Sequence, residues 1–213
     1  MPLGEFSQTL VLYALHTHIF DWRTAVSMLN PTGLTGAPGH HSHGMGQGLR
    51  DRRKWLIDAF DSFKECYMAS TAPAVSLLCH LGYVSLDVSI SDMHLMTGRS
   101  SSIQDGSFAE ENLKCWANSD IANSTMRHIS HMLGICHRCL ADGTATKSSF
   151  EITLCLFTGG LVCWAYAKLR KNVPKAEYIE QVRNASVGLR GIGCWRMSEM
   201  FGKILNEMIS ERK

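Results

Sequence analysis

The sequence predicts an all-α fold, a single irregular multi-helix domain over residues 1–213. Two observations carry that prediction. Apolar residues recur at three-and-four spacing through several long stretches, and no alternating run of strand length interrupts them. With 213 residues and 45% hydrophobic content, the chain is long enough for one domain to bury a real core.

The elements follow in order. Leu10, Tyr13, Ala14, Thr17, Phe20 and Ala25 set an apolar stripe along a helix from Phe6 to Leu29, and Asn30-Pro31-Thr32-Gly33 stops it. Gly33 to Gly48 holds six glycines, a proline, His40, His41 and His43, a composition expected to form a mobile loop at about 33–48. Arg50 to Lys54 lead into a second helix carrying Trp55, Ile57, Ala59, Phe60, Phe63 and Tyr67 to near Ser70. Pro73 fits the first turn of a third helix, which runs towards Val88 with Val75, Leu78, Cys79, Leu81 and Gly82 inward. Ser91 to Gly98 reads as a brief helix between a cap and a glycine, and Arg99 to Ser107 as a polar loop.

Ser107 and Glu110 are expected to form a capping box opening the stretch that contains Trp116. Asn118-Ser119-Asp120 breaks that stretch, because these side chains compete for the helical backbone. A further helix spans Ile121 to Leu140 and buries Met126, Ile129, Met132, Leu133 and Cys136, with a turn at 141–144. Phe150 to Leu169 is the most apolar helix. Its apolar run, about Leu154 to Ala167, falls short of the ~20 residues that span a bilayer and is expected to be a core helix, so no membrane association is predicted. Gly188-Leu189-Arg190-Gly191-Ile192-Gly193 follows no strand and fits neither the P-loop nor the dinucleotide spacing; it is expected to be a flexible entry to the last helix, about Cys194 to Met208. The predicted core is anchored by Trp55, Phe60, Leu78, Trp116, Trp164, Trp195 and Phe201.

Charge and cysteine usage narrow the function classes. With 21 basic against 19 acidic residues, no basic footprint for a phosphate backbone is present, and direct nucleic-acid binding is disfavoured. Most of the eight cysteines sit in apolar stretches, where a thiol acts as a small hydrophobe. No basic-then-apolar leader opens the chain, so a reducing compartment without disulfides is expected.

Few residue patterns point to chemistry. Cys136-His137-Arg138-Cys139 has zinc or redox spacing but stands alone; a structural zinc site needs a second ligand pair, and a thioredoxin-like role needs a βαβ setting. Cys136 and Cys139 are therefore weak metal candidates. His16 and His18, two apart on a helix, face different ways. His128 and His131 share a face, but no carboxylate completes a metal set, so a partly exposed helix face is expected. No nucleophile elbow, HExxH pattern or paired-carboxylate motif is visible, and no catalytic or cofactor-binding residue is assigned.

Four ordered pieces carry a resemblance across roughly Phe6 to Met208. They are Trp55-Leu56-Ile57-Asp58-Ala59-Phe60-Asp61-Ser62, the stretch Leu77-Leu78-Cys79-His80-Leu81-Gly82-Tyr83-Val84-Ser85-Leu86, Cys115-Trp116-Ala117-Asn118-Ser119 followed by His128, and Gly193-Cys194-Trp195-Arg196-Met197-Ser198-Glu199-Met200-Phe201. Together they resemble the fungal-specific transcription factor regulatory domain, the middle-homology or xylanolytic-activator type. The resemblance implies a non-enzymatic all-α domain in the nucleus that controls RNA polymerase II transcription of metabolic genes. It would act through effector response, dimer contacts or inhibition of the activator, so protein partners, self-association or a small-molecule effector are the expected partners. The family's zinc-based DNA-binding module has no counterpart here, so zinc and DNA contact would belong to an upstream module; the chain would be the C-terminal part of a longer factor or a shortened product. The rival expectations are a helical enzyme of secondary metabolism, which needs clustered acidic motifs that Glu110-Glu111 and Asp58 with Asp61 do not supply, and a redox or zinc sensor built on Cys136 and Cys139.

Overall fold

The computed structural model describes residues 3–29, 46–67, 72–99, 103–145, 149–193 and 195–210. Among these residues the chain is all-α, with nine helices and no strand. The helices are α1 (Glu5–Leu29), α2 (Gln47–Tyr67), α3 (Pro73–Asp87), α4 (Ile90–His94), α5 (Ile103–Ala117), α6 (Asp120–Ala141), α7 (Ser149–Leu169), α8 (Lys175–Gly191) and α9 (Arg196–Ser210), and a π-helical turn at Leu95–Arg99 continues α4.

Two groups of buried side chains make up the interior, and α3 belongs to both. On one side Val75, Leu78, Cys79 and Leu86 meet Leu12, Leu15, Ile19 and Trp22 of α1 and Leu56, Phe60 and Phe63 of α2. On the other, Leu77, Leu81 and Val84 join the larger core built from α5 to α9. A helix buried on both sides must be apolar around most of its circumference, and nine of the fifteen residues of α3 are buried. Gly82 lets the fully buried Phe60 ring lie against the α3 backbone, where any Cβ would collide with it.

The α1 stripe is not the expected one. Leu10, Tyr13 and Phe20 are exposed, and the buried residues are Leu12, Leu15, Ile19 and Trp22, repeating at three, four and three. Alpha-helix α1 carries apolar residues on several faces, so spacing alone admits two phases. Trp55 and Trp195, expected in the core, are 50% and 39% exposed, whereas Phe60, Leu78, Trp116 and Trp164 are buried and Phe201 is half-buried, stacked on Phe157 with centroids 4.0 Å apart.

Several boundaries also move. Of the loop expected at 33–48, residues up to 45, including His40, His41 and His43, lie outside the described residues, and Gln47 and Gly48 already belong to α2. Ser89, not Ser91, caps α4, its Oγ accepting from the Asp92 N–H at 3.2 Å. Ser107 and Glu110 are interior to α5, which starts at Ile103, so they form no capping box. The break at 118–119 and the start of α6 at Asp120 match the expectation.

A whole helix, α8, occupies the stretch between Pro174 and the last helix. Gly188 and Gly191 lie within it, and neither has positive φ. Gly188 is instead a point of close approach, where a Cβ would stand 2.9 Å from Leu140 Cδ1. The helical part of α7 from Phe150 to Leu169 reaches 20 residues, long and apolar enough by composition to cross a bilayer, but 83% of it is buried inside the protein. Length and composition therefore do not separate it from a membrane span.

Candidate functional site

Trp22 and Arg23 are consecutive on α1, and the turn between them divides two tasks. Trp22 is buried and donates its indole N–H to the Leu49 carbonyl at 3.0 Å, which ties α1 to the start of α2. Arg23 reaches the end of α3, where the carbonyls run out of helical N–H partners. Its Nε donates to the Ser85 carbonyl at 2.8 Å, and a cation is favoured at that negative pole. Arg23 Nη2 is buried with no hydrogen-bond partner.

Around this guanidinium lies a cavity of about 520 Å³. Ile19, Trp22, Val26, Val88 and Ile90 give it apolar walls, and Arg23, Asp92, Asn112 and His16 supply polar groups. A cavity of this size and make-up suits a small organic molecule.

The electrostatics of the walls are balanced. Burial lowers the Arg23 pKa to about 10, against the attraction of Asp92 and Asp87, so the side chain stays cationic at neutral pH. Burial pushes the Asp92 carboxyl up, while Arg23 and hydrogen bonds with Ser89 and Asn112 hold it down. Behind the cavity Asp87 pairs with Arg53 at 2.9 Å and accepts from Thr125 Oγ1 at 3.0 Å. Burial lowers the pKa of His16, whose Nε2 meets the Leu78 carbonyl at 2.9 Å; that nitrogen must donate, leaving Nδ1 of the neutral ring an acceptor.

The residues singled out from sequence lie elsewhere. Cys136 and Cys139 are buried on α6, and burial pushes the Cys136 thiol well up, away from the thiolate that zinc binding or redox attack requires. His18 packs edge-on against Trp55, away from His16's partner. His128 and His131 do share a face of α6, and the structure adds His80 of α3 beside them. Among the described residues, no group of three or more His, Cys, Asp or Glu side chains is placed to hold a metal ion.

Sequence inspection missed Arg23, Asp92 and Asn112. A signal existed for Arg23: in the phase Leu12-Leu15-Ile19 it stands four residues after Ile19, a charge on the buried stripe. Asp92 and Asn112 come from separate helices and converge only in the fold.

Compared with known protein families, characterised proteins and solved structures, the chain matches none.

Proposed function

We propose that the chain is a regulatory and interaction domain of a fungal zinc-type transcription factor, acting in the nucleus on RNA polymerase II transcription of metabolic genes. It takes its effector in the cavity between α1, α3 and α4. The observation that carries this is the cavity itself: about 520 Å³, apolar walls, and a buried arginine with an unpartnered nitrogen. The ordered motifs from Trp55 to Phe201 and the all-α architecture support the regulatory assignment. Two of the four segments also supply elements around the cavity or its packing: α2 through Leu56 and Phe60, and α3 through Ser85 and Leu78. DNA contact is assigned to a module upstream, consistent with the near-balanced charge of 21 basic and 19 acidic residues.

The test is to fuse residues 1–213 to a heterologous DNA-binding domain and measure a reporter in a fungal nucleus. The fusion is expected to change reporter output several-fold relative to the DNA-binding domain alone, while the 213 residues by themselves show no sequence-specific DNA binding. An unchanged reporter, or tight specific binding by the isolated chain, would overturn the proposal.

A further inference from the structure

The charge balance of the cavity selects the class of molecule that fits. Two acid–base side chains line it, Arg23 and Asp92, whose charged forms are of opposite sign, and Arg53 and Asp87 pair with each other beside them. An anionic ligand would answer Arg23 but leave Asp92 facing a like charge in a partly desolvated space, and a cationic ligand would do the reverse. Burial of a charge without a net partner is costly. A neutral ligand avoids both penalties and can still use the polar wall. Arg23 has an unfilled donor at Nη2, and Asp92 and neutral His16 are acceptors.

From this we infer that the cavity binds an uncharged, mainly aliphatic molecule bearing a hydroxyl, its oxygen accepting from Arg23 and its proton donated to Asp92. A hydroxyl offers both roles on one atom and is a stronger donor and acceptor than a thiol. The hydrocarbon part packs on Ile19, Val26, Val88 and Ile90, where removal of apolar surface from water supplies most of the binding free energy. The ligand class rests on the cavity being an effector site, as proposed above.

Three probes with one chain length and different heads test it: decan-1-ol, decanoate and decylammonium, titrated into the full chain near neutral pH and followed by calorimetry and thermal unfolding. Decan-1-ol is expected to bind one to one and raise the unfolding midpoint, with the two ions at least tenfold weaker. In Asp92→Asn the wall carries a net positive charge, and decanoate is expected to overtake decan-1-ol. Should Asp92→Asn fail to fold, Asn112→Ala supplies the second arm: it weakens decan-1-ol binding through Asp92 while keeping the order of the three heads. Tighter binding of decanoate or decylammonium to the wild-type chain would overturn the ligand class and leave the cavity as a binding site. No binding of any probe to natively folded protein would overturn the cavity reading as well, whereas the reporter fusion, run without ligand, judges the regulatory assignment separately.

Discussion

Nδ1 of His80 and Nδ1 of His128 lie 3.0 Å apart, so α3 and α6 are joined by a pair of imidazoles in which one ring donates and the other accepts. His131 stacks on His80 with centroids 5.5 Å apart, Tyr83 stacks on His128 at 4.5 Å, and the Tyr83 hydroxyl donates to Asp61 at 2.5 Å. The pair works as a hydrogen bond only while at least one ring is neutral.

This geometry fixes a pH dependence. Burial lowers both pKa values to about 4; the neighbouring histidines add to it for His80, and Lys64, His131 and Arg127 for His128, with Asp61 opposing. The unfolded rings titrate near the ordinary ~6.5, so on acidification the unfolded chain takes up protons first. Stability contributed by the neutral pair is complete above that value and is lost as pH falls towards 4. Asp87 and Asp92, whose carboxyls burial pushes up, act in the opposite sense, so the informative quantity is a difference. His128→Phe keeps the ring stack on Tyr83 and removes one titrating group. Urea midpoints measured at about pH 7 and about pH 5 are expected to fall less in the variant than in the wild type. An equal fall in both would remove the histidine pair as the source.

The Arg53–Asp87 pair predicts an asymmetry between its two halves. Their side chains are only 20% and 14% exposed, and Asp87 also accepts from Thr125 and faces Arg23. Deleting the carboxylate in Asp87→Ala leaves two largely buried guanidinium groups without it, while the Thr125 hydroxyl keeps the Ile121 carbonyl at 3.0 Å. A loss of about 3 kcal/mol is expected, at the lower end of what breaking a buried pair costs. Arg53→Ala leaves Asp87 with Thr125 and Arg23 and is expected to cost less, about 1–2 kcal/mol, nearer a single charged hydrogen bond. Chemical denaturation of both variants checks the order, and equal losses would contradict it.

Thiol labelling separates the cysteines. Cys66 and Cys115 are exposed, while Cys79, Cys136, Cys139, Cys155 and Cys163 are buried, with burial raising the Cys79 and Cys163 thiols to about 12. Reactivity follows the thiolate and its accessibility. Iodoacetamide followed by mass mapping is expected to modify Cys66 and Cys115 in the native protein and Cys136 and Cys139 only on unfolding. Fast labelling of the latter two, or a drop in the thermal midpoint on chelation, would revive the sensor built on that motif.

The helical class, the break at Asn118-Ser119 and the cores of α3, α6 and α7 were legible in the sequence, because strong periodicity and cap-forming residues are local signals. The α1 phase was not, since that helix offers apolar residues on more than one face and only packing against Leu78 and Phe60 chooses between them. Helix α8 was hidden for a different reason: its buried side chains are Val182, Ala185, Ser186 and Leu189, small or polar groups that leave a faint stripe. The cavity needed Arg23, Asp92 and Asn112 from three helices, and the histidine pair needed residues 48 apart, so neither had a local signature.

The two tryptophans that sequence patterning grouped together should now part in stability measurements. Trp116 is 2% exposed in the larger core, edge-on to Tyr166 at 6.1 Å, so Trp116→Ala is expected to cost about 3–5 kcal/mol through lost burial and the cavity left behind. Trp195, likewise expected in the core, is 39% exposed just before α9 with Phe150 at 6.2 Å. Part of its ring already meets water, so less apolar surface is surrendered, and Trp195→Ala is expected to cost about 1–2 kcal/mol. The indole N–H of Trp116 has no hydrogen-bond partner, which makes Trp116→Phe much milder than Trp116→Ala: the smaller ring gives up some packing but removes an unsatisfied donor. Urea midpoints of the three variants check this order. A Trp195→Ala loss matching that of Trp116→Ala would mean that α9 packs more tightly over residue 195 than its exposure indicates.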